Sequence, residues 1–259
     1  MKGITFGIIT SENTNSYIDS VILSIEGQNI DKNLYEILII GNCSLEESEQ
    51  IRVIPFDETI RNLWITKKKN LITKESKFDI IVYMHDYLIL DENWYLNFLK
   101  FGDDWDLCMN RILNSDGKRS IDWIGLPDDR IYGNVILPYD YIGSEGMYIP
   151  GNFWIGKKKV MDEFPLDENF VWGEGEDIEW SKRVLGGFPP VWLKNINDFR
   201  EGRALVKKHK YVMNEFSIVK SLKDKQFSSD FFREYDSHSG NEARPLSSTP
   251  ENYKYLGYR

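Results

Sequence analysis

Ile4-Thr5-Phe6-Gly7-Ile8-Ile9-Thr10 decides the architecture of this chain. The run is apolar on both alternations and rich in β-branched residues, which reads as a strand buried on both faces. Polar residues Ser11 to Ser16 follow it. Tyr17, Val21, Ser24 and Ile25 then recur at helical spacing, with Asn15 or Ser16 as N-cap and Gly27 as the stop. Tyr35-Glu36-Ile37-Leu38-Ile39-Ile40 is a second buried strand, stopped by Gly41-Asn42. Ile51 to Phe56 reads as a third, and a helix is expected over roughly 63–75. Phe78-Asp79-Ile80-Ile81-Val82-Tyr83-Met84 is a fourth strand, ending at His85-Asp86. Strands alternating with helices predict an α/β fold with a parallel sheet covered on both faces. Ligands of such sheets sit at the carboxyl ends of the strands. Those ends carry Thr10-Ser11-Glu12, Gly41-Asn42, Asp57-Glu58 and His85-Asp86.

The pattern changes after Phe101. Residues 103–150 are rich in Gly, Pro, Asp and aromatics and read as insertions and short strands, such as Ile131-Tyr132 and Val135-Ile136-Leu137. Phe153-Trp154-Ile155-Gly156 is read as one more strand, Lys158 to Phe164 as a short helix, and Ile178 to Leu185 as a longer one stopped by Gly186-Gly187. Pro189 to Leu193 is a further short strand. From residue 221 the chain is polar and weakly periodic, and is expected to form a C-terminal extension over 221–259. Its aromatic end, Tyr253-Lys254-Tyr255-Leu256-Gly257-Tyr258, is read as docking in cis or on a second copy, so a homo-oligomer is one expectation.

The chain has 259 residues, 41% hydrophobic and 28% charged, which fits one large globular domain. Its 41 acidic against 32 basic residues give a formal charge of -9, which argues against nucleic-acid binding. Cys43 and Cys108 read as small buried hydrophobes rather than a disulfide framework. Neither a signal peptide nor a run of membrane-spanning length stands out, so a cytoplasmic protein is the expectation. No Gly-x-Gly-x-x-Gly or Walker-type loop opens the first helix.

A second stretch speaks for function: Val171-Trp172-Gly173-Glu174-Gly175-Glu176-Asp177-Ile178-Glu179-Trp180. Glycines let the backbone approach a ligand and adopt positive φ. Tryptophans suit the C–H face of a sugar ring. Carboxylates bind hydroxyls or take a proton. Together these residue types point to carbohydrate chemistry. Paired carboxylates would also serve a glycoside hydrolase, and a sugar- or nucleotide-binding module without catalysis is a further alternative.

Four segments in this order resemble a GT-A glycosyltransferase, especially of the family 2 type. They are Ile4–Thr10 with the helix after it; Glu36-Ile37-Leu38-Ile39-Ile40-Gly41-Asn42; Trp64-Ile65-Thr66-Lys67-Lys68-Lys69-Asn70 with Asp79 to Asp86; and Pro150-Gly151-Asn152-Phe153-Trp154 through Trp172–Asp177. The last is similar to the Trp-Gly-x-Gly-Gly-Glu-Asp pattern of β-1,4-galactosyltransferase-like C-terminal domains. The resemblance implies a GT-A, Rossmann-like fold: one α/β domain with a mixed, mainly parallel central sheet flanked by helices. It implies a donor half over 1–101 and an acceptor half over 102–220.

It further implies an inverting, metal-dependent transfer from a nucleotide-diphosphate sugar, expected to be a UDP-sugar, to a saccharide or glycan in polysaccharide synthesis. Asp177 matches the general base, though its place also suits a helix cap. Glu176, Trp172, Gly175 and Trp154 would meet the acceptor. Thr10, Glu12, Asn42, Asp57, Lys69 and Asp86 would meet the donor. Mn2+ or Mg2+ would sit on Asp86 with His209, and less readily on His85. The Asp-x-Asp pattern is replaced here by His85-Asp86-Tyr87. Lys67 is a lesser phosphate candidate than Lys69, either Arg200 or Arg203 could meet the pyrophosphate or pair with the acidic cluster, and His238 reads as surface.

Overall fold

The structure is a computed structural model that describes residues 2–11, 17–125, 135–141, 147–186, 209–223 and 233–234. β1 (Ile4–Ile9) and β2 (Tyr35–Ile40) are buried at every position, as continuous apolar runs require. β3 (Ile51–Ile54) is half-buried, and β4 (Ile80–His85) is buried up to its last residue. These four pair in parallel in the order β3-β2-β1-β4. The helices α1 (Ile18–Glu26) and α2 (Ile65–Glu75) come from the connections. α2 packs closely on β1 because residue 7 is glycine: a Cβ there would stand 2.2 Å from Ile72 Cγ2.

The second half departs from the simple alternation. β5 (Leu88–Leu90) and α3 (Trp94–Phe101) follow β4, and β6 (Leu107–Leu113) is a seven-residue, largely buried strand where insertions and short strands were expected. β10 (Phe153–Lys157) runs antiparallel to both β4 and β6. β11 (Tyr211–Ser221) lies parallel to β6 and antiparallel to β5. The eight-stranded sheet is therefore mixed, in the order β3-β2-β1-β4-β10-β6-β11-β5.

β5 is joined to β4 by Asp86-Tyr87 alone, yet it pairs with β11 at the far end of that order. The sheet from β4 onward must therefore curl back until its edge meets the end of β4. The Leu222 N–H closes the curl on the Tyr87 carbonyl at 2.9 Å. Trp94 fills the inside, tilted on Phe6 at 5.8 Å and stacked on Phe98 at 5.2 Å. The expected open Rossmann-like sheet is thus a single α/β layer curled on one side.

A smaller sheet, β12-β8-β7-β9, joins β7 (Ile124–Gly125), β8 (Val135–Ile136), β9 (Met147–Tyr148) and β12 (Arg233–Glu234). Ile124, Ile136 and Tyr148 pack with Ile178 of α5 (Glu176–Leu185). The helix α4 (Lys158–Glu163) follows β10. The strand-like readings at Ile131-Tyr132 and at Pro189 to Leu193 lie outside the described residues, as does most of the extension beyond Lys223. No helix among the described residues is long and apolar enough to cross a membrane.

Candidate active site

A cleft of about 330 Å³ opens at the carboxyl ends of β1 and β4. One side carries Thr10, Lys68, His85 and Asp86; the other carries Trp172, Glu176 and Asp177. The Thr10 hydroxyl donates to Asp86 Oδ2 at 2.6 Å, and both residues are buried. The Lys68 ammonium donates to the Thr10 carbonyl at 2.6 Å and also to the Glu58 carboxylate. Lys223 lies over the Tyr87 ring at 4.2 Å and completes that side.

The acidic side is built by the start of α5. Gly173 and Gly175 take φ of 81° and 79°, which turns the chain sharply into the helix. Glu176, Asp177 and Glu179 occupy its first turn, where acids suit the macrodipole. Asp177 Oδ2 accepts the Gly151 N–H at 3.0 Å, and its Oδ1 accepts the Ile178 N–H at 2.9 Å. Lys69 is buried beside them and donates to the Gly151 carbonyl at 2.8 Å. Burial, with Asp177 as neighbour, pushes the Glu176 carboxyl up to about 8. Burial also raises Asp177, against the pull of Lys69. Burial lowers Lys69, against the pull of both acids. Glu176, Asp177 and Lys69 thus shift one another in a largely buried corner of the cleft.

His85 stands between the two sides. Burial comes first in holding its imidazole well below the usual histidine range, and Lys69, Lys223 and Lys68 add to it. The ring is neutral at physiological pH.

Several expected site residues lie elsewhere. Trp154 is buried under the cleft, stacked on Tyr83 at 4.6 Å with the Lys69 ammonium 4.8 Å from its ring, so it makes floor rather than wall. Trp172 is 45% exposed at the rim, and Gly175 lines the cleft. Asn42 accepts the Phe56 N–H at 3.2 Å, and Asp57 caps Thr59 through N–H and hydroxyl bonds of 2.9 and 2.6 Å; neither lines the cleft. Lys67 pairs outward with Glu168 at 2.9 Å. Glu12, Arg200, Arg203 and His238 lie outside the described residues.

His209 requires a correction. β10 runs antiparallel to β4 and β6, so those two point the same way. Leu107 and Ile81 both pair with Gly156, which puts Asp106 level with the start of β4. His209 binds Asp106 at 3.3 Å and lies near Glu163 at 3.8 Å. Asp86 is at the other end of β4, about 20 Å away at strand rise. The two residues cannot share an ion. Among the described residues no group of three or more His, Cys, Asp or Glu side chains converges on one point. At the strand ends His85 and Asp86 are chain neighbours, and three lysines bear on His85. The described residues do not make the expected Mn2+ or Mg2+ site.

Lys68 went unread in the sequence. It falls three residues after Ile65 and four before Ile72, both buried on α2, so helical periodicity already put it inward.

No protein-family model matches the chain, and no curated protein matches it in sequence. Solved structures resemble it. S. aureus TarS 1-349 superposes with a TM-score of 0.51 at 11% identity, over 82% of this chain and 60% of that one. The same fragment in complex with UDP-GlcNAc gives 0.51 at 12% identity, over 82% and 58%. GalNAc-T7 with UDP, GalNAc and Mn2+ gives 0.58 at 15% identity, over 99% of this chain and 47% of that one. The chain spans about 60% of the TarS fragment and about half of the GalNAc-T7 chain. At these identities the likeness is one of fold, shared with two glycosyltransferases.

Proposed function

We propose that this chain is an inverting glycosyltransferase that moves a sugar from a nucleotide-diphosphate donor, a UDP-sugar in the first instance, to a saccharide hydroxyl. The observation that carries the reading is one cleft with two unlike sides. Thr10, Asp86 and the cations of Lys68 and Lys223 stand at the strand ends; Glu176 and Asp177 face them from the start of α5. Residues 1–101 supply most of the donor side, to which Lys223 at the start of the 221–259 extension adds its cation, and residues 102–220 supply the acceptor side.

In this reading the acceptor hydroxyl gives its proton to Asp177 as its oxygen attacks the anomeric carbon. The bond from that carbon to the diphosphate oxygen breaks, and the nucleoside diphosphate leaves with the electron pair. Attack from the opposite face inverts the anomeric configuration. Glu176 holds the acceptor, and Trp172 offers a ring face at the rim. Lys68 and Lys223 meet the negative charge that develops on the leaving group.

The test is calorimetry with UDP, GDP, CDP and ADP, followed by transfer assays with the sugar form of the nucleotide that binds. One nucleotide should bind well ahead of the others. Binding of none, or of all equally weakly, would remove the reading. Release of free sugar from an oligosaccharide without any nucleotide would favour a hydrolase instead.

A further inference from the structure

His85 Nε2, Asn152 Oδ1 and Trp154 Nε1 are buried polar atoms without a hydrogen-bond partner. Strand register gathers them. Tyr83 pairs with Trp154, and Met84 with Phe153, across β4 and β10. The His85 N–H donates to the Asn152 carbonyl at 3.2 Å, so these two residues form the next cross-strand row. Side chains alternate along a strand, which puts Tyr83, His85, Asn152 and Trp154 on one face. Opposed residues of such a row have Cβ atoms about 4.5–5.5 Å apart. Both His85 and Asn152 line the cleft, with the stacked Tyr83 and Trp154 rings as the row beneath them.

Buried polar atoms are nearly always bonded, so a pair left open in a cleft marks a place for a ligand's donors. Asn152 Oδ1 is an acceptor, and His85 Nε2 is one in the tautomer that leaves the proton on the other ring nitrogen, which a hydrogen bond of the ring to the Gly151 backbone favours. Lys68, Lys69 and Lys223 bear on His85 and weigh against a cation at its ring, while Glu58, Asp86, Glu176 and Asp177 also line the cleft, so Mn2+ is included in the test. An anion would meet the acceptor lone pairs. Neutral O–H donors remain, and these are the groups a sugar ring presents.

We propose that His85 Nε2 and Asn152 Oδ1 form a paired acceptor subsite that takes two neighbouring hydroxyl groups of the transferred pyranose. The subsite rests on the donor reading given above, and it sets which hydroxyl pattern the enzyme accepts.

The test compares Kd for UDP with Kd for UDP-glucose, UDP-galactose and UDP-N-acetylglucosamine in the wild type, Asn152→Ala and His85→Phe. Each variant should weaken the preferred UDP-sugar about tenfold, the size of one lost hydrogen bond, while UDP itself stays within about twofold. Wild-type affinity for the sugar form in both variants overturns the subsite, and so does an equal loss for bare UDP. A Mn2+ affinity in the wild type that Asn152→Ala abolishes would mark a cation site and also overturn it. Should the wild type bind no nucleotide, the donor reading falls by itself. Imidazole 15N NMR with methyl pyranosides then decides the subsite. The chain has three histidines, so His85→Phe assigns the signal. A shifted His85 Nε2 supports the subsite, and an unmoved one overturns it.

Discussion

Lys69 and Asp177 meet through the backbone of one residue, Gly151. The Lys69 ammonium donates to the Gly151 carbonyl at 2.8 Å, and the Gly151 N–H donates to Asp177 Oδ2 at 3.0 Å. A helix residue of the donor side and a helix residue of the acceptor side are thereby fixed to the same turn, just before β10. The base candidate is held by backbone at both oxygens and faces the cleft with what remains of its lone pairs.

Asp177→Asn should fold and bind nucleotide as the wild type does but transfer about 10²–10⁴-fold more slowly, the usual worth of a general base. The carboxamide oxygen can keep one of the two backbone N–H bonds and the NH2 loses the other, so the melting temperature should fall modestly, by the worth of about one hydrogen bond. Transfer at the wild-type rate would remove Asp177 as the base.

Gly151→Ala tests the shared turn. A Cβ there would lie 3.3 Å from Lys69 Nζ and 3.4 Å from Asp177 Oδ2. The Lys69 contact is tight and the Asp177 contact ordinary, so the ammonium end of Lys69 must give by a few tenths of an ångström. We expect a stability loss at the low end of overpacking, about 1 kcal/mol, and a severalfold fall in kcat as the link from Lys69 to Asp177 loosens. An unchanged kcat would show that the exact placement of Asp177 is not needed.

The pH dependence follows from Glu176, whose carboxyl burial and Asp177 push up to about 8. A raised folded pKa means that the native state holds the proton longer than the unfolded chain. Stability from this group is full below the ordinary carboxyl range of 4.5 and is lost as pH climbs through about 8. Lys69, lowered by burial, acts with the opposite sign toward alkaline pH. The wild type should therefore lose melting temperature between about pH 5 and 8, and Glu176→Gln should flatten that fall. Identical profiles for the two proteins would contradict a protonated Glu176.

Arg183 tests how α5 is held. Its guanidinium binds Glu179 by two bonds of 2.5 and 2.9 Å and donates to the Pro165 carbonyl at 2.9 Å. Both side chains are buried. Arg183→Met leaves Glu179 charged and unpaired and should cost about 3–5 kcal/mol by denaturant midpoint. Adding Glu179→Met should recover most of that loss. A single variant as stable as the wild type would mean that the helix is anchored otherwise.

Legibility in the sequence followed the physics of burial. β1, β2 and β4 were readable because strands covered on both faces must be continuous apolar runs. β6 and β11 were not, because each carries a buried asparagine. Asn110 of β6 takes the Trp94 indole N–H at 2.7 Å, and Asn214 of β11 lies beside the register shift before Ile218. α3 reads Trp-Tyr-Leu-Asn-Phe, an aromatic content that favours strands. Thr10, Asp86, Glu176 and Asp177, which line one cleft, could be singled out because strand ends and helix starts are local features. His209 was misplaced because chain order does not say which end of a strand faces the cleft. The His85–Asn152 row depends on β10 inserting between β4 and β6, which no local pattern records.

The last prediction separates lysine from metal at the donor side. Lys68 lies against Thr10 in the cleft, and among the described residues the acids near it do not converge as a cation site. If the leaving group is met by Lys68, then Lys68→Met should weaken UDP about tenfold, the size of one charge-assisted hydrogen bond. EDTA should then change the wild-type affinity by less than about threefold, about 0.65 kcal/mol. Glu58, left without its lysine, is partly exposed and can turn to water, so the fold should survive. A large EDTA effect with an unaffected Lys68→Met would sink the lysine assignment. It would place a cation on Asp86, with its other ligands drawn from beyond the described residues.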